Sequence, residues 1–327
     1  MIRLFDQGHR RMSELLATGA PVFLCVNPVE YHGPHLSLHN DWLISQGVAA
    51  DLHAALRERA NEDWPFLLGA DLEVGVDPTP GPGTRFTSYR QARRLLIEAC
   101  DALVESGAQR VVFVTWHGGA LHGHALAAAA AHLRGRGVPA SSPFDVLMHK
   151  LVGNDGVNDY ADALDCIEDA EERAAVLDGL PLDFHAGFFE TSLTLHYAPD
   201  SVDPCYRKLP DCRRWRENRR LAAIGRLVSR LGMTHAGRDI QFAARAMGWT
   251  YLRPFPGYTG RPRHAAPEAG AAFARHALDA FVPAIEAAFA GAPPEGPPMG
   301  WLRRLTLNGL VPLGGNLRRD QVLPAPE

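Results

Sequence analysis

The chain has 327 residues, of which 46% are hydrophobic and 21% charged, with a formal net charge of −4. These values suit one large or two small globular domains with a sizeable core, and they exclude the strongly basic balance that binds nucleic acid or acidic membranes. No apolar run reaches the roughly 18 residues of a membrane span, and the start of the chain has no apolar leader. Five scattered cysteines form no C-x-x-C pair, so a reduced, cytoplasmic protein is expected.

Pro21 to Val26 (PVFLCV) is a continuous apolar run, the pattern of a parallel strand buried on both faces. Asp41 to Arg59 carries Leu43, Val48, Leu52 and Leu56 at helical spacing. Phe66 to Leu68 reads as a second strand, and the Pro/Gly content of Val76 to Thr84 predicts a loop. Ser88 to Ser106 reads as a helix ended by Gly107. Arg110 to Trp116 (RVVFVTW) is the clearest buried strand, followed by Gly118-Gly119 and an alanine-rich helix over Leu121 to Arg134. Strand, glycine turn and helix in that order predict an α/β fold with a mostly parallel sheet.

Further on, Tyr160 to Leu177 reads as an acidic helix within a segment, 152–180, that would serve as a lid, a subunit contact or a solvated helix. Glu190 to Tyr197 reads as an ordered element. Arg213 to Leu231 reads as a basic helix; with Arg207 and Lys208 it would meet an anionic substrate, solvent or a neighbouring subunit. Glu268 to Ala290 predicts the helix that closes the domain. The expected domain is thus 1–291. Residues 292–327, proline-rich and then polar with an apolar patch over 309–314, read as a C-terminal tail or arm.

Ligands of open α/β sheets lie outside the carboxyl ends of the strands. Glu30 and His32 follow the first strand, and His117 follows the strand at 111–116 directly. Asp41 opens the next helix; alone it fits a helix N-cap as well as a ligand. Oxygen and nitrogen donors without thiolate suit zinc, manganese, iron or cobalt rather than a cysteine-based structural zinc. A third cluster, LDFHAGFFETS, sets His185 and Glu190 about a glycine turn. A histidine there is either a proton shuttle or a satisfied core residue, and the glutamate is a further donor.

Taken in order, EYHGPHL with Asp41, TWHGGA, HAGFFETS and the later GYTGRPRHAAPEAG resemble the motifs of the creatininase (creatinine amidohydrolase) family, and Pro82-Gly83-Thr84 resembles a recurrent PGT. The resemblance runs from about residue 21 to 290. It implies a three-layer α/β/α sandwich and a dinuclear site holding two divalent ions per chain (Zn, Mn or Fe). Glu30 and His117 would hold one ion and His32 the other, with Asp41 bridging. Creatininase has a further glutamate ligand where this chain has Gly119, so Glu190 becomes the remaining ligand. Catalysis falls to His185, as proton carrier, and Glu190. His35, Thr84, Trp116, Gly118 and Gly119 are expected beside the substrate.

Two departures bear on specificity. Trp116 and Ala120 replace the asparagine-type residues that flank the family's HGG, and Pro181-Leu182 stand where creatinine would be clamped. The expectation is hydrolysis of a C–N amide-type bond in a cyclic amide, a formamide or a modified peptide, with a substrate other than creatinine. The partners expected are a small-molecule or short-peptide substrate and further copies in a homo-oligomer, without nucleic acid or membrane. The alternative is a non-catalytic homologue that uses the metal for structure or binding.

Overall fold

The computed structural model describes residues 1–153, 157–310 and 315–326. Five strands form one parallel sheet: β1 (Ile2–Arg3), β2 (Val22–Asn27), β3 (Leu67–Glu73), β4 (Val111–Val114) and β5 (Ala140–Ser141), in the order β1-β3-β2-β4-β5. All six residues of β2 are buried, as are all four of β4. That is why their sequences are apolar without alternation: both faces of a parallel sheet are covered by crossover helices. The two-residue edge strands were missed in the sequence, because no pattern can build over so short a run.

On one face lie α3 (Tyr89–Ser106) and α4 (Ala120–Gly135), with α1 (His9–Leu16) packed on α3; on the other lie α2 (Asn40–Ala60), α7 (Phe188–Tyr197) and α10 (Pro267–Phe289). This is the expected three-layer α/β/α sandwich. Local chemistry sets the helix ends. Ser88 and Gln91 form a capping box at the start of α3, and Gly107 ends it at φ 99°. The chain moves from β2 outward to β3 and then crosses to β4 on the other side of β2. The strand order therefore reverses beside β2, and the carboxyl ends of β2 and β4 open onto one crevice.

Three sequence readings change. The acidic stretch is two pieces, a 3-10 segment over Val157–Leu164 and α6 (Ala170–Gly179). Asp169 breaks it: its side chain accepts from the Glu171 and Glu172 amides and starts a new helix there. The basic helix begins only at α8 (Arg219–Arg230), where the Asn218 side chain accepts from Leu221 N. The residues before it run irregularly against α9 (Thr234–Thr250), with Trp215 Nε1 donating to Arg245 O. α5 (Phe144–Gly153) is a helix that the sequence reading left unassigned.

The described part of the segment beyond 291 lies along the domain. α11 (Gly300–Leu305) packs on α4, Val322 pairs with Phe255, and Leu317 is buried with Tyr31, Trp249 and Phe255. Most of the apolar patch over 309–314 lies outside the described residues.

Candidate metal centre

At the end of β2, the Asn27 side-chain oxygen accepts from Trp116 N (2.9 Å), Ser45 Oγ (3.1 Å) and Thr115 Oγ1 (3.2 Å). One amide thus ties the ends of β2 and β4 to α2. The loop after β2 brings Glu30 and His32 inward, α2 contributes Asp41 from its first turn, the loop after β4 brings His117, the turn before α7 brings His185, and the first turn of α7 brings Glu190. All six are buried.

Each histidine is fixed by a backbone carbonyl. His32 Nδ1 lies 3.1 Å from Glu30 O, His117 Nε2 2.9 Å from Val76 O, and His185 Nε2 2.9 Å from Tyr31 O. A carbonyl only accepts, so those nitrogens carry the protons and the opposite nitrogens present lone pairs. The lone pairs face carboxylates. His32 Nε2 is 2.9 Å from Asp41 Oδ1 and 3.9 Å from Glu190 Oε2. His117 Nδ1 is 2.8 Å from Glu30 Oε2 and 3.8 Å from Asp41 Oδ2. His185 Nδ1 is 3.9 Å from Glu30 Oε1, and its ring stacks on His32 at 4.3 Å.

Glu30 Oε2, His32 Nε2 and both Asp41 oxygens are buried without a hydrogen-bond partner, although they approach one another this closely. A lone pair facing a carboxylate in a dry interior is costly; without an ion a proton removes that cost, since despite burial the facing carboxylates raise His32 to about 10 and His117 to about 9, and a divalent cation would take the protons' place. The ligand atoms of Glu30, His32 and Asp41 lie within 4.8 Å of one another, as do those of His32, His185 and Glu190. Asp41 does not cap α2, since no side chain caps that helix. The donor set therefore fits divalent ions of the zinc, manganese or iron kind.

The electrostatics agree. Burial raises the Asp41 carboxyl and lifts Glu190 to about 8 despite the pull of His32. Burial also works on Glu30, but His117, His185 and His32 outweigh it and hold its carboxyl well below the ordinary range. Two carboxyls raised in one pocket mark a site short of positive charge. Burial, with His32 adjacent, pushes His185 down to about 3 and keeps it neutral.

The expected substrate-facing residues divide. Trp116 and Gly118 line a cavity of about 730 Å³, partly open to solvent, that also touches Glu190. Gly119 lies against His117: a Cβ there would overlap Val76 O and His117 Nε2. The geometry gives it a steric reason to be glycine, close approach of backbone to a donor ring. His35 is buried beneath α7 with Nε2 3.0 Å from Thr191 Oγ1. Thr84 is buried in the loop after β3, where its hydroxyl accepts from Tyr31 N and donates to Thr79 O, both at 2.9 Å.

Several residues of the site were not singled out in the sequence. Thr79 N donates to Glu30 Oε1 at 2.5 Å. Asn316, from beyond the closing helix, accepts from Gly81 N at 2.8 Å and donates to Thr84 O at 3.2 Å, so it ties down the same loop. His122 stands behind His117 with its rings 5.0 Å apart and Nε2 3.1 Å from Thr115 Oγ1. Asn27 could have been found as a polar residue directly ending an apolar strand. Asn316 carries no such signal. Elsewhere, the acidic segment is held through Glu172, which pairs with Arg261 at 2.7 Å and Arg263 at 3.4 Å. Among the described residues, no helix is long and apolar enough to cross a membrane.

Comparison with known proteins places this arrangement. Residues 9–285 match the family model described as Creatininase, creatinine amidohydrolase. The mycofactocin precursor peptide peptidase of Mycolicibacterium smegmatis (strain ATCC 700084 / mc(2)155) is 31% identical over 191 residues, 55% of this chain and 59% of that protein. The protein of the same name from Mycobacterium ulcerans (strain Agy99) is 27% identical over 202 residues, 61% of this chain and 67% of its own. The chain therefore spans about 59% of the length of the first of these relatives. Among solved structures, a manganese creatininase superposes with a TM-score of 0.52 at 17% identity, covering 88% of this chain and 98% of that one. A mutant creatininase of Zn-Zn type gives 0.53 at 17% identity over the same shares. The solved structures share the fold and the family model spans well over half of the sequence: the chain belongs to the creatininase family.

Proposed function

We propose that this chain is a metal-dependent amidohydrolase that cleaves a C–N amide-type bond in a modified or short peptide. The observation that carries the reading is the set of buried carboxylate oxygens and imidazole nitrogens that converge on one another at 2.8–2.9 Å in a dry interior. Family membership and the printed names of the peptidase relatives support it. Glu30 and His117 would hold one divalent ion, His32 and Glu190 the other, and Asp41, with one oxygen toward each histidine, would span both. Bound there, such ions supply a water of lowered pKa and polarise the substrate carbonyl.

The chain's own residues do the rest. Tyr31 O fixes the His185 ring, so that Nδ1 faces the site and moves the proton. Water oxygen bonds to the carbonyl carbon, the C–N bond breaks, and a proton from that water reaches the leaving nitrogen through His185. Val76 O and Glu30 O hold the two ligand histidines in one tautomer. The apolar cavity beside Glu190 suits a larger apolar group than creatinine. We further propose a cytoplasmic protein, in keeping with its free cysteines, that works as a homo-oligomer.

The test is metal content and turnover together. Wild type is expected to retain about two divalent ions per chain, and Asp41→Ala to lose them. His185→Ala is expected to retain the ions and lose hydrolysis. Loss of metal in His185→Ala would instead make His185 a ligand, which its place beside His32 and Glu190 also allows.

A further inference from the structure

The cavity next to Glu190 has a wall chemistry of its own. Trp116, Phe144, Phe184, Phe189 and Phe273 present rings to it, so its interior favours a bulky apolar or aromatic group. Trp116 packs on Phe144 at 5.5 Å and on Phe189 at 5.8 Å, which makes that wall rigid. Besides the Tyr160 phenol, two carboxyl groups and one amine also line it. Glu190 belongs to the metal centre. Asp183 holds the turn before α7, where Phe188 N donates to its Oδ2 at 2.8 Å, and its Oδ1 is buried without a partner. Lys150, half-buried on α5, is the one cation among the lining residues.

The segment Leu180 to Phe184 forms another side of the cavity and runs directly into His185. His185 does not itself line the cavity, but Glu190 does, and the donor atoms of Glu190 and His185 lie within 4.8 Å of each other. A leaving nitrogen that takes its proton from His185 on this side of the metal centre belongs to the part of the substrate in the cavity. We propose that the cavity seats the leaving amine, and that this amine is a bulky apolar or aromatic amino acid whose free carboxylate is held by Lys150. The inference rests on the amidohydrolase reading above and names its substrate class: acylated or peptidyl amino acids ending in a large apolar residue. Hydrolysis adds water across the terminal amide, leaving a carboxylate on the acyl side and the free amino acid in the cavity.

The experiment uses the metal-loaded protein with glycyl-phenylalanine and its C-terminal amide, titrated by calorimetry with hydrolysis followed in parallel. The acid is expected to bind about 10-fold more tightly than the amide, about 1.4 kcal/mol. Lys150→Met keeps the aliphatic stem and should remove that difference, with affinity for the amide and metal content unchanged. Lys150→Arg should restore it. Equal affinities, no measurable binding of either compound, or a preference that survives in Lys150→Met overturns the proposal. Discrimination between the two compounds without any hydrolysis would leave the cavity assignment standing and refute the amidohydrolase reading instead.

Discussion

Asn27→Ala tests how the metal centre is held together. The Asn27 side-chain oxygen has three donors, and they differ in what they do when it is removed. Thr115 Oγ1 accepts from His122 Nε2, whose proton Val26 O also faces, so its own hydroxyl proton loses its acceptor. Ser45 Oγ can rotate within the wall of α2. The Trp116 amide cannot turn, because β4 fixes it, and it is left buried and unpaired at about 1–3 kcal/mol. One further net hydrogen bond lost adds about 1 kcal/mol. The expected destabilisation is therefore about 2–4 kcal/mol, read as a lower urea midpoint at constant m in metal-free protein. Trp116 precedes His117, so the same variant should also bind metal more weakly. A stability change below about 0.5 kcal/mol with unaltered metal affinity would refute the view that Asn27 couples the two strand ends.

Four other outcomes are expected. Gly119→Ala should weaken metal binding at least 10-fold, checked by competition with a chromogenic chelator, because its Cβ displaces His117 Nε2 from Val76 O. Asn316→Ala removes two hydrogen bonds to the loop whose Thr79 amide holds Glu30. The residue is exposed, so the cost should be near 1 kcal/mol, about fivefold in metal affinity, and unchanged affinity would show the loop to be held without it. Chelation should lower the melting temperature of wild type, since metal at about 100 times its Kd contributes about 2.7 kcal/mol. Metal-free Asp41→Ala should melt lower than metal-free wild type, because it removes one partner of the buried Asp41–His32 pair, a loss of about 3–5 kcal/mol.

Much of the site was legible in the sequence because it is local. Val22–Asn27 and Val111–Val114 announce themselves by apolar runs that only a doubly covered parallel strand needs. Glu30, His32 and His117 follow those runs within a few residues, so strand ends and donors could be read together. Helix boundaries were less secure where a single side chain decides them, as Asp169 and Asn218 do by bonding backbone amides.

The sequence by itself determined the fold class, the donor types and their attachment to strand ends, since each depends on residues close along the chain. Only the tertiary structure decided which nitrogen of each histidine faces the site, because that choice belongs to the carbonyls of Glu30, Val76 and Tyr31. It also decided that His35 and Thr84 brace the loops while Trp116 and Lys150 face a cavity. Asn316 reaches the loop of Thr79 across more than two hundred residues of chain. A hydrogen bond between segments so far apart leaves no periodicity and no spacing in the sequence; it exists only once packing has brought the two backbones together.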